Sequence, residues 1–185
     1  GAPSTTYTFD CFTQEQVKEI NKVIQKNILK KEDKRSAADD GVVDGVAITK
    51  VGKFFQLPCF PLMELLHPWL HQCQIINKQI FGYDISWDFH LDMLNYNVYE
   101  ENDEYGWHID ASPTQLSDMK LTCLLNLSEE PYEGGEFHMI NSKHKPKFTS
   151  GMGCVFNSLI AHKVTPVTKG ERITLTYWAH GPSWK

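Results

Sequence analysis

The sequence lacks the features that mark disulfide-rich, secreted or membrane-spanning proteins. Its five cysteines are scattered and never form a C-x-x-C pair, which argues against a disulfide framework or a zinc knuckle and favours reduced thiols in a cytoplasmic location. No apolar run approaches the ~18–20 residues of a transmembrane helix, so we expect no membrane association. No basic segment followed by an apolar one opens the chain, and we expect no signal peptide.

Positive charge is also scarce. The sequence has 18 Lys and Arg residues against 23 Asp and Glu residues, which gives a formal net charge of −5 at pH 7. Such a chain has no global basic field for nucleic acid or anionic lipid, although a local basic groove stays open. Its 185 residues are 41% hydrophobic and 12% aromatic, which is enough for a real core. We predict a single domain over residues 1–185.

Two helices are predicted in the first half of the chain. Thr13 and Gln16 form a capping-box pattern before an apolar stripe at helical spacing, made of Val17, Ile20, Ile24 and Ile28. Pro61 and Pro68 both suit first-turn positions of the second helix. The apolar face that follows is made of Trp69, Cys73, Ile76 and Ile80.

The segment between the helices is charged, and residues 30–45 are predicted to form an exposed loop, either a linker or a flexible lid. Residues 46–51 look like a short strand. From Ile85 onward the apolar residues alternate with a period of two, which indicates strands. We predict strands at residues 85–98, 105–110, 120–127, 136–140, 153–157, 162–166 and 172–178. Many short strands after helices predict a mainly β, α+β fold, a jelly roll (double-stranded β-helix) backed by the N-terminal helices.

The stretch from Tyr105 to Asp110 carries the most informative side chains. On a strand, residues i and i+2 point to the same face, so His108 and Asp110 are predicted to project into one cavity, while Trp107 and Ile109 point away. Two groups that are costly to bury need a shared partner, and a divalent metal ion is a natural one.

A third ligand is expected from late in the chain, because a jelly roll brings distant strands together. His162 lies at the start of a predicted strand and is the histidine we assign. Two histidines and one carboxylate suit non-heme Fe(II), with three coordination positions left open, and zinc accepts the same set. The competing histidines are predicted to be surface or core residues, namely His90, His138, His144 and His180.

Arg172 follows His162 across a turn and opens the next predicted strand, with Thr174, Thr176 and Trp178 alternating on the same face. An arginine that points into a barrel needs a buried anion, and its planar fork suits a carboxylate. A metal-binding substrate with a distal carboxylate that fits this arrangement is 2-oxoglutarate.

At these separations the residues resemble the 2-oxoglutarate/Fe(II)-dependent oxygenases, and their flanks are similar to the prolyl 4-hydroxylase-like branch with its bacterial and phage members. The resemblance covers about residues 91–181. It rests on four motifs in order, which are Tyr96 followed by Tyr105-x-x-His108-x-Asp110, then Gly134-Gly135-Glu136-Phe137, then His162-x-Val164-x-Pro166-Val167-x-x-Gly170-x-Arg172, and last Tyr177-Trp178-Ala179-His180-Gly181.

The resemblance implies a role for each matching residue. His108, Asp110 and His162 would bind Fe(II). Arg172 would pair with the distal carboxylate of 2-oxoglutarate, and Tyr96 would donate a hydrogen bond to it or line its pocket. The pocket wall near the metal would include Thr176 and Trp178. Together with O2, these cofactors imply oxidative decarboxylation to succinate and CO2 coupled to hydroxylation of a substrate, with ascorbate as a candidate addition.

The resemblance favours a prolyl or other peptidyl substrate, and three departures bear on it. A second tyrosine of the family is replaced by Asn126 or Leu125, and some collagen-type members have Lys where this chain has Arg172. Residues 30–57, where relatives place substrate-contacting loops, match no known pattern, so the specificity is expected to lie there.

Two other functions stay open. The same chemistry could act on a free amino acid, a metabolite or a nucleic-acid base. The second arginine of base-repair relatives is replaced by Trp178 here, and the chain is acidic, so nucleic acid is not expected. A non-catalytic jelly-roll binding module with a structural metal is the third hypothesis, but a closed structural site would normally have four protein ligands, and three are found.

Overall fold

The computed structural model describes residues 6–32, 42–43, 46–111, 118–140 and 142–183. In these ranges the α-helices are α1 (Gln14–Asn27) and α2 (Met63–Ile76), and a π-helical turn (Asn77–Phe81) continues α2. The strands are β1 (Tyr7–Asp10), β2 (Lys30–Glu32), β3 (Val42–Val43), β4 (Val46–Ala47), β5 (Lys50–Val51), β6 (Lys53–Pro58), β7 (Met93–Tyr99), β8 (Glu104–His108), β9 (Asp118–Asn126), β10 (Glu133–Gly134), β11 (Phe137–Met139), β12 (Met152–Asn157), β13 (His162–Val164), β14 (Val167–Lys169) and β15 (Arg172–Gly181).

The strands build two main antiparallel sheets. The larger sheet has seven strands in the order β1-β12-β9-β15-β7-β6-β2, and the smaller has four in the order β11-β13-β8-β5. Two further strand pairs, β10 with β14 and β3 with β4, flank them. This mainly β arrangement, with strands distant in sequence lying side by side, is a jelly roll backed by helices and confirms the predicted fold class.

Helix α1 begins as its sequence predicts. The Thr13 hydroxyl accepts a hydrogen bond from the backbone N–H of Gln16 (3.2 Å), and the Gln16 side chain accepts one from the Thr13 N–H (2.9 Å), which completes the capping box. The apolar stripe packs on the large sheet, with Val17, Ile20 and Ile24 fully buried. Neither helix in the described ranges is long and apolar enough to cross a membrane.

The main core lies between the helices and one face of the seven-stranded sheet. Its members include Leu66, Trp69 and Cys73 from α2, packed against Leu94 and Leu175 from the sheet. A smaller apolar cluster lies between the two sheets and contains Leu124, Phe137, Phe156 and Val164. One face of the large sheet therefore builds the core, and the other faces the space between the sheets.

The second helix differs from its prediction at Pro68. Pro61 lies in a short 3-10 turn (Phe60–Leu62) that leads into α2, whereas Pro68 is inside the helix. The prediction of a first-turn position for Pro68 is wrong. A proline there has no N–H for the carbonyl one turn earlier, but the burial of Trp69 and Leu70 beside it holds the helix together.

Residues 30–51 also differ from their prediction. The predicted loop is wrong at its ends, because β2 pairs with β6 and β3 pairs with β4; residues 33–41 and 44–45 lie outside the described part. The predicted strand 46–51 divides into β4 and β5, which join different sheets. Strand β6 was missed, and it pairs with β7 along its whole length. Strands β2, β5 and β6 form through pairing with partners distant in sequence, which local composition does not encode.

The predicted strand from Ile85 begins only at Met93. Before it, the described chain has an isolated bridge between Ser86 and His180 and a turn closed on the carbonyl of Asp88. The alternating aromatics of this segment, Trp87 and Phe89, pack on the Tyr177 ring at 6.0 and 5.4 Å between centroids. Their period therefore reflects packing on β15.

Candidate metal centre and cosubstrate pocket

The small sheet brings the two predicted histidine ligands together. His108 ends β8, His162 begins β13, and the two residues are paired in register across these strands. Asp110 lies beyond the end of β8, where its backbone N–H donates to the carbonyl of Ser158 at 3.0 Å. The metal-binding atoms of the three side chains lie within 4.8 Å of one another, and this is the one such group among the residues that the structure describes.

The hydrogen bonds of the two histidine rings fix which nitrogen faces the site. His108 Nδ1 lies 2.7 Å from the carbonyl of Gly106, and His162 Nδ1 lies 2.9 Å from the carbonyl of Ile160. A carbonyl oxygen accepts and never donates, so each Nδ1 carries the proton. In a neutral ring, each Nε2 then presents a lone pair to the shared site.

The Asp110 carboxylate lies between these two nitrogens. Its Oδ1 is 3.2 Å from His108 Nε2, and its Oδ2 is 3.3 Å from His162 Nε2. Three buried acceptors that face one another repel unless protons or a cation lie between them. The donor set therefore fits a divalent metal ion such as Fe(II).

The electrostatics of the group agree with this fit. Burial alone would raise the pKa of Asp110, but His162 and His108 together hold the pKa of this carboxyl well below its usual range. Burial lowers the pKa of His162, but the Asp110 carboxylate outweighs it and raises that pKa above its ordinary value. The carboxylate is thus charged and attracts positive charge to the centre of the group.

A cavity of about 320 Å³ lies between the sheets and is lined by the three side chains and by Arg172. Arg172 is 2% exposed, its Nη2 has no hydrogen-bond partner, and it takes part in none of the ion pairs among the described residues. Its guanidinium lies 5.6 Å from the centre of the Tyr99 ring. A buried cation without a counter-ion is costly, so this end of the cavity suits an anion.

The structure corrects the prediction for Tyr96. Its hydroxyl donates to Asn21 Oδ1 on α1 at 2.8 Å, and its side chain belongs to the helix-side core. Residues of β7 alternate between the two faces of the sheet, so the pocket is lined by Asn95, Asn97 and Tyr99. Tyr99 pairs directly with Arg172 across β7 and β15. This pairing identifies Tyr99 as the pocket tyrosine, and it is known only once the register of the two strands is known.

Thr176 and Trp178 line the cavity wall on β15, together with Thr174. The Asn97 amide donates to the Thr174 and Thr176 hydroxyls at 3.2 and 2.9 Å, which fixes this part of the wall. The indole Nε1 of Trp178 is buried and has no hydrogen-bond partner.

The two residues that flank His108 behave differently. Trp107 is 43% exposed and lies outside the cavity, as predicted, with Lys163 Nζ 4.8 Å from its ring centre. The prediction that Ile109 faces away is wrong, because Ile109 lines the cavity at its exposed rim. The reason is that β8 ends at His108, and strand alternation no longer applies beyond it.

The Gly134–Gly135 pair shapes the segment above Arg172. Both residues have positive φ, at 72° and 56°. A Cβ on Gly134 would lie 2.3 Å from the carbonyl oxygen of Pro166, and one on Gly135 would lie 3.0 Å from Arg172 Cδ. Only glycine allows this close approach. The glycine pair therefore lets the backbone pack directly against the aliphatic part of the Arg172 side chain.

Comparison with known proteins agrees with this site. The sequence profile described as the 2OG-Fe(II) oxygenase superfamily matches residues 94–180. A PKHD-type hydroxylase of Janthinobacterium sp. (strain Marseille) is 31% identical over 182 residues, which cover 91% of this chain and 75% of the relative. The chain belongs to the 2OG-Fe(II) oxygenase superfamily. A PKHD-type hydroxylase of Alteromonas mediterranea is 39% identical over 93 residues, a match that spans only 41% of that relative's length.

Solved structures share the fold of this oxygenase. A Pseudomonas putida prolyl-4-hydroxylase superposes with a TM-score of 0.65 at 15% identity, covering 96% of this chain and 93% of that one. The viral collagen prolyl hydroxylase of Paramecium Bursaria Chlorella virus-1, solved as its 2OG complex, gives 0.63 at 15% identity, covering 95% and 96%. Family and fold together indicate a 2-oxoglutarate-dependent dioxygenase.

Proposed function

We propose that this oxygenase uses Fe(II), 2-oxoglutarate and O2 to hydroxylate a prolyl or other peptidyl side chain, with release of succinate and CO2. One observation carries the proposal. A single cavity joins three converging acceptors at one place to a buried guanidinium at another, and this guanidinium has no ion-pair partner among the residues that the structure describes. The acceptors suit a divalent metal, and the guanidinium suits the distal carboxylate of a dicarboxylic acid.

In this proposal His108, Asp110 and His162 hold the iron. Bound iron supplies the oxidising chemistry, and the chain positions the reactants around it. Arg172 anchors the cosubstrate through its distal carboxylate, and Tyr99 borders the same end of the cavity. The apolar side chains around the cosubstrate exclude water from the reacting centre; they are Leu124, Phe137 and Val164.

The peptidyl substrate is supported by the polar character of the remaining wall. Gln56 and Asn95 pair across β6 and β7, and their carboxamides line the cavity together with Trp178. Carboxamides offer both hydrogen-bond donors and hydrogen-bond acceptors. Such a set can hydrogen-bond the C=O and N–H groups of a peptide.

The names of similar proteins point the same way. The relatives described above are PKHD-type hydroxylases or prolyl hydroxylases. A Trichoplax adhaerens prolyl hydroxylase, with a TM-score of 0.65 at 15% identity, is solved with a peptide fragment of the hypoxia inducible factor oxygen degradation domain.

One observation favours a free amino acid as the alternative substrate. Lys50 also lines the cavity, with its ammonium 4.5 and 5.0 Å from the centres of the Phe54 and Tyr105 rings. A cation at this place would suit the carboxylate of a free amino acid, which a peptide interior lacks.

A succinate-release assay separates these substrates. The protein is loaded with Fe(II) and 2-oxoglutarate and offered proline-containing peptides, free amino acids or oligonucleotides, each with and without ascorbate. We expect peptides to stimulate succinate release and oligonucleotides to leave it at the uncoupled level. Stimulation by free amino acids alone would contradict the peptidyl substrate. We also propose that ascorbate stimulates succinate release. A cytoplasmic location is proposed as well, because the five cysteines are free thiols.

A further inference from the structure

A hydroxyl from the large sheet contacts the carboxylate of the proposed iron site. Thr122 Oγ1 on β9 donates to Asp110 Oδ2 at 2.9 Å, and the same oxygen lies 2.9 Å from Ser158 Oγ. The Thr122 hydroxyl has a single proton, and it donates this proton in the hydrogen bond to the carboxylate. In the second hydrogen bond, the Ser158 hydroxyl must therefore be the donor and Thr122 Oγ1 the acceptor. Both hydroxyl residues are buried, at 1% and 0% exposure.

The two sheets thus hold the proposed ligands separately. His108 and His162 belong to the small sheet, whereas Asp110 is hydrogen-bonded to Thr122 on the large sheet and to Ser158, which directly follows strand β12 of that sheet. The backbone N–H groups of Asp110 and Ala111 donate to the Ser158 carbonyl at 3.0 and 3.1 Å, and the Asp110 carboxylate accepts from Thr122. Because Asp110 lies past the end of β8, no strand pairing orients it, and these bonds do so instead.

The two carboxylate oxygens of Asp110 are not equivalent. Each oxygen faces one histidine, Oδ1 at 3.2 Å from His108 Nε2 and Oδ2 at 3.3 Å from His162 Nε2. Only Oδ2 also accepts from the Thr122 hydroxyl, and Oδ1 has no hydroxyl partner among the described residues. A hydroxyl that also accepts a hydrogen bond is a stronger donor. The hydrogen bond from Ser158 to Thr122 therefore strengthens the hydrogen bond from Thr122 to Asp110 Oδ2. Oδ1 is therefore the oxygen whose lone pairs are more available to a metal.

The number of carboxylate oxygens that bind the metal determines how many coordination positions stay open for the cosubstrate and O2. In a six-coordinate site, two histidines and one oxygen leave three open positions, enough for a chelating 2-oxo acid and O2. If both oxygens bound, only two positions would remain, and the chelating cosubstrate would fill both.

We propose that Thr122 is a positioning residue that restricts Asp110 to one metal-binding oxygen and so keeps the position for O2 open. This inference rests on the proposed iron site. Thr122 acts through Asp110 and touches neither cosubstrate nor O2. Ser158 supports it by donating to its hydroxyl oxygen.

Nitric oxide, a stable surrogate for O2, tests the proposal without turnover. The protein is saturated anaerobically with Fe(II) and 2-oxoglutarate, and its paramagnetic nitric oxide adduct is quantified by electron paramagnetic resonance. We expect Thr122→Val, which keeps the shape and removes the donor, to lose most of the signal. Thr122→Ser keeps the hydroxyl and should retain the signal, and so should Ser158→Ala, in which Thr122 still donates to Asp110.

Metal affinity is measured alongside, with Co(II) absorption as the readout. We expect Thr122→Val to bind Co(II) about 10- to 100-fold more weakly, the usual effect of removing a group that orients a ligand. If Thr122→Val does not fold, the double variant Thr122→Val with Ser158→Ala replaces it. The double variant removes both hydroxyls, so no buried Ser158 hydroxyl is left without its partner.

A wild-type nitric oxide signal in Thr122→Val or the double variant overturns the proposal, whatever the metal affinity. Loss of the signal in Thr122→Ser overturns it as well, since that variant keeps the donor. Failure of the unaltered protein to take up Fe(II) would instead contradict the proposed function. The two failures are therefore distinguishable.

Discussion

The two faces of the seven-stranded sheet carry different kinds of side chain. On β15, Leu175 and Tyr177 point into the helix-side core, and Thr174 and Thr176 line the cavity. The helix face is apolar and closed. The cavity face carries hydroxyls, amides and the Arg172 guanidinium, and two of its polar groups have no partner. Alternate residues of the same strands therefore serve stability on one face and ligand binding on the other.

The largest effect is expected from Asp110→Ala on the cavity side. Removing one of three ligands should weaken metal binding by more than about 100-fold, beyond the loss seen when only a supporting group is removed. The metal-free protein should stay folded, because Asp110 lies beyond the end of β8 and outside the apolar core. Titration with Fe(II) or Co(II) measures the metal affinity, and thermal unfolding shows whether the metal-free variant is folded. Glu136→Ala, which alters a half-exposed carboxylate outside this group, is the control; equal metal affinity in both variants would refute the ligand assignment.

On the helix side, Leu175→Ala should lower the free energy of unfolding by about 2–5 kcal/mol, because it leaves a cavity in the core. The affinity of the folded variant for 2-oxoglutarate should not change. Thr174→Ala, one residue earlier on the cavity face, should cost far less stability. Urea denaturation compares the two, and similar losses would contradict the division between the faces.

Arg172→Ala should weaken 2-oxoglutarate binding by roughly 10- to 150-fold, which corresponds to the loss of a charge-assisted hydrogen bond of about 1.5–3 kcal/mol. Metal affinity should change little, because Arg172 is not a ligand. Calorimetric titration of the metal-loaded protein measures both. Lys169→Ala removes an exposed lysine on β14 and is the matched control. Equal loss of metal and cosubstrate binding in Arg172→Ala would indicate misfolding instead.

The smallest expected effects distinguish the two tyrosines of β7. Tyr99→Phe removes a hydroxyl from the Arg172 end of the cavity and should weaken 2-oxoglutarate binding by about 1 kcal/mol, the net value of one hydrogen bond. Tyr96→Phe should lower stability by about the same amount, because Asn21 loses the 2.8 Å hydrogen bond from the phenol. Its affinity for 2-oxoglutarate should be unchanged. The reverse result would restore the prediction made from sequence for Tyr96.

The sequence predicted the jelly roll because period-two strands dominate the second half of the chain. It also predicted the side chains that meet in the site, because metal and carboxylate binding each demand particular residue types. His108, Asp110, His162 and Arg172 were assigned from their chemistry, their order and the resemblance to the oxygenase family, and the structure brings them to one cavity.

The features that the sequence did not reveal depend on which strands pair and on which face of the sheet each residue lies. Tyr96 was assigned to the wrong face because no partner strand fixed the parity of β7. Strand β2 was missed because its charged residues suggest a loop. Strand β6 was missed because it is short and has no clear alternation, and only pairing with its neighbours makes it a strand. Thr122 carries no motif, and its contact with Asp110 exists only once the two sheets face each other.

The most direct test is an anaerobic titration of the Fe(II)-loaded protein with 2-oxoglutarate, followed by absorption spectroscopy. Chelation of iron by the 2-oxo acid gives a weak metal-to-ligand absorption band. We expect the band in the unaltered protein, its absence in Asp110→Ala, and its appearance only at much higher 2-oxoglutarate concentration in Arg172→Ala. No band in the unaltered protein, together with unchanged metal uptake in Asp110→Ala, would contradict the account.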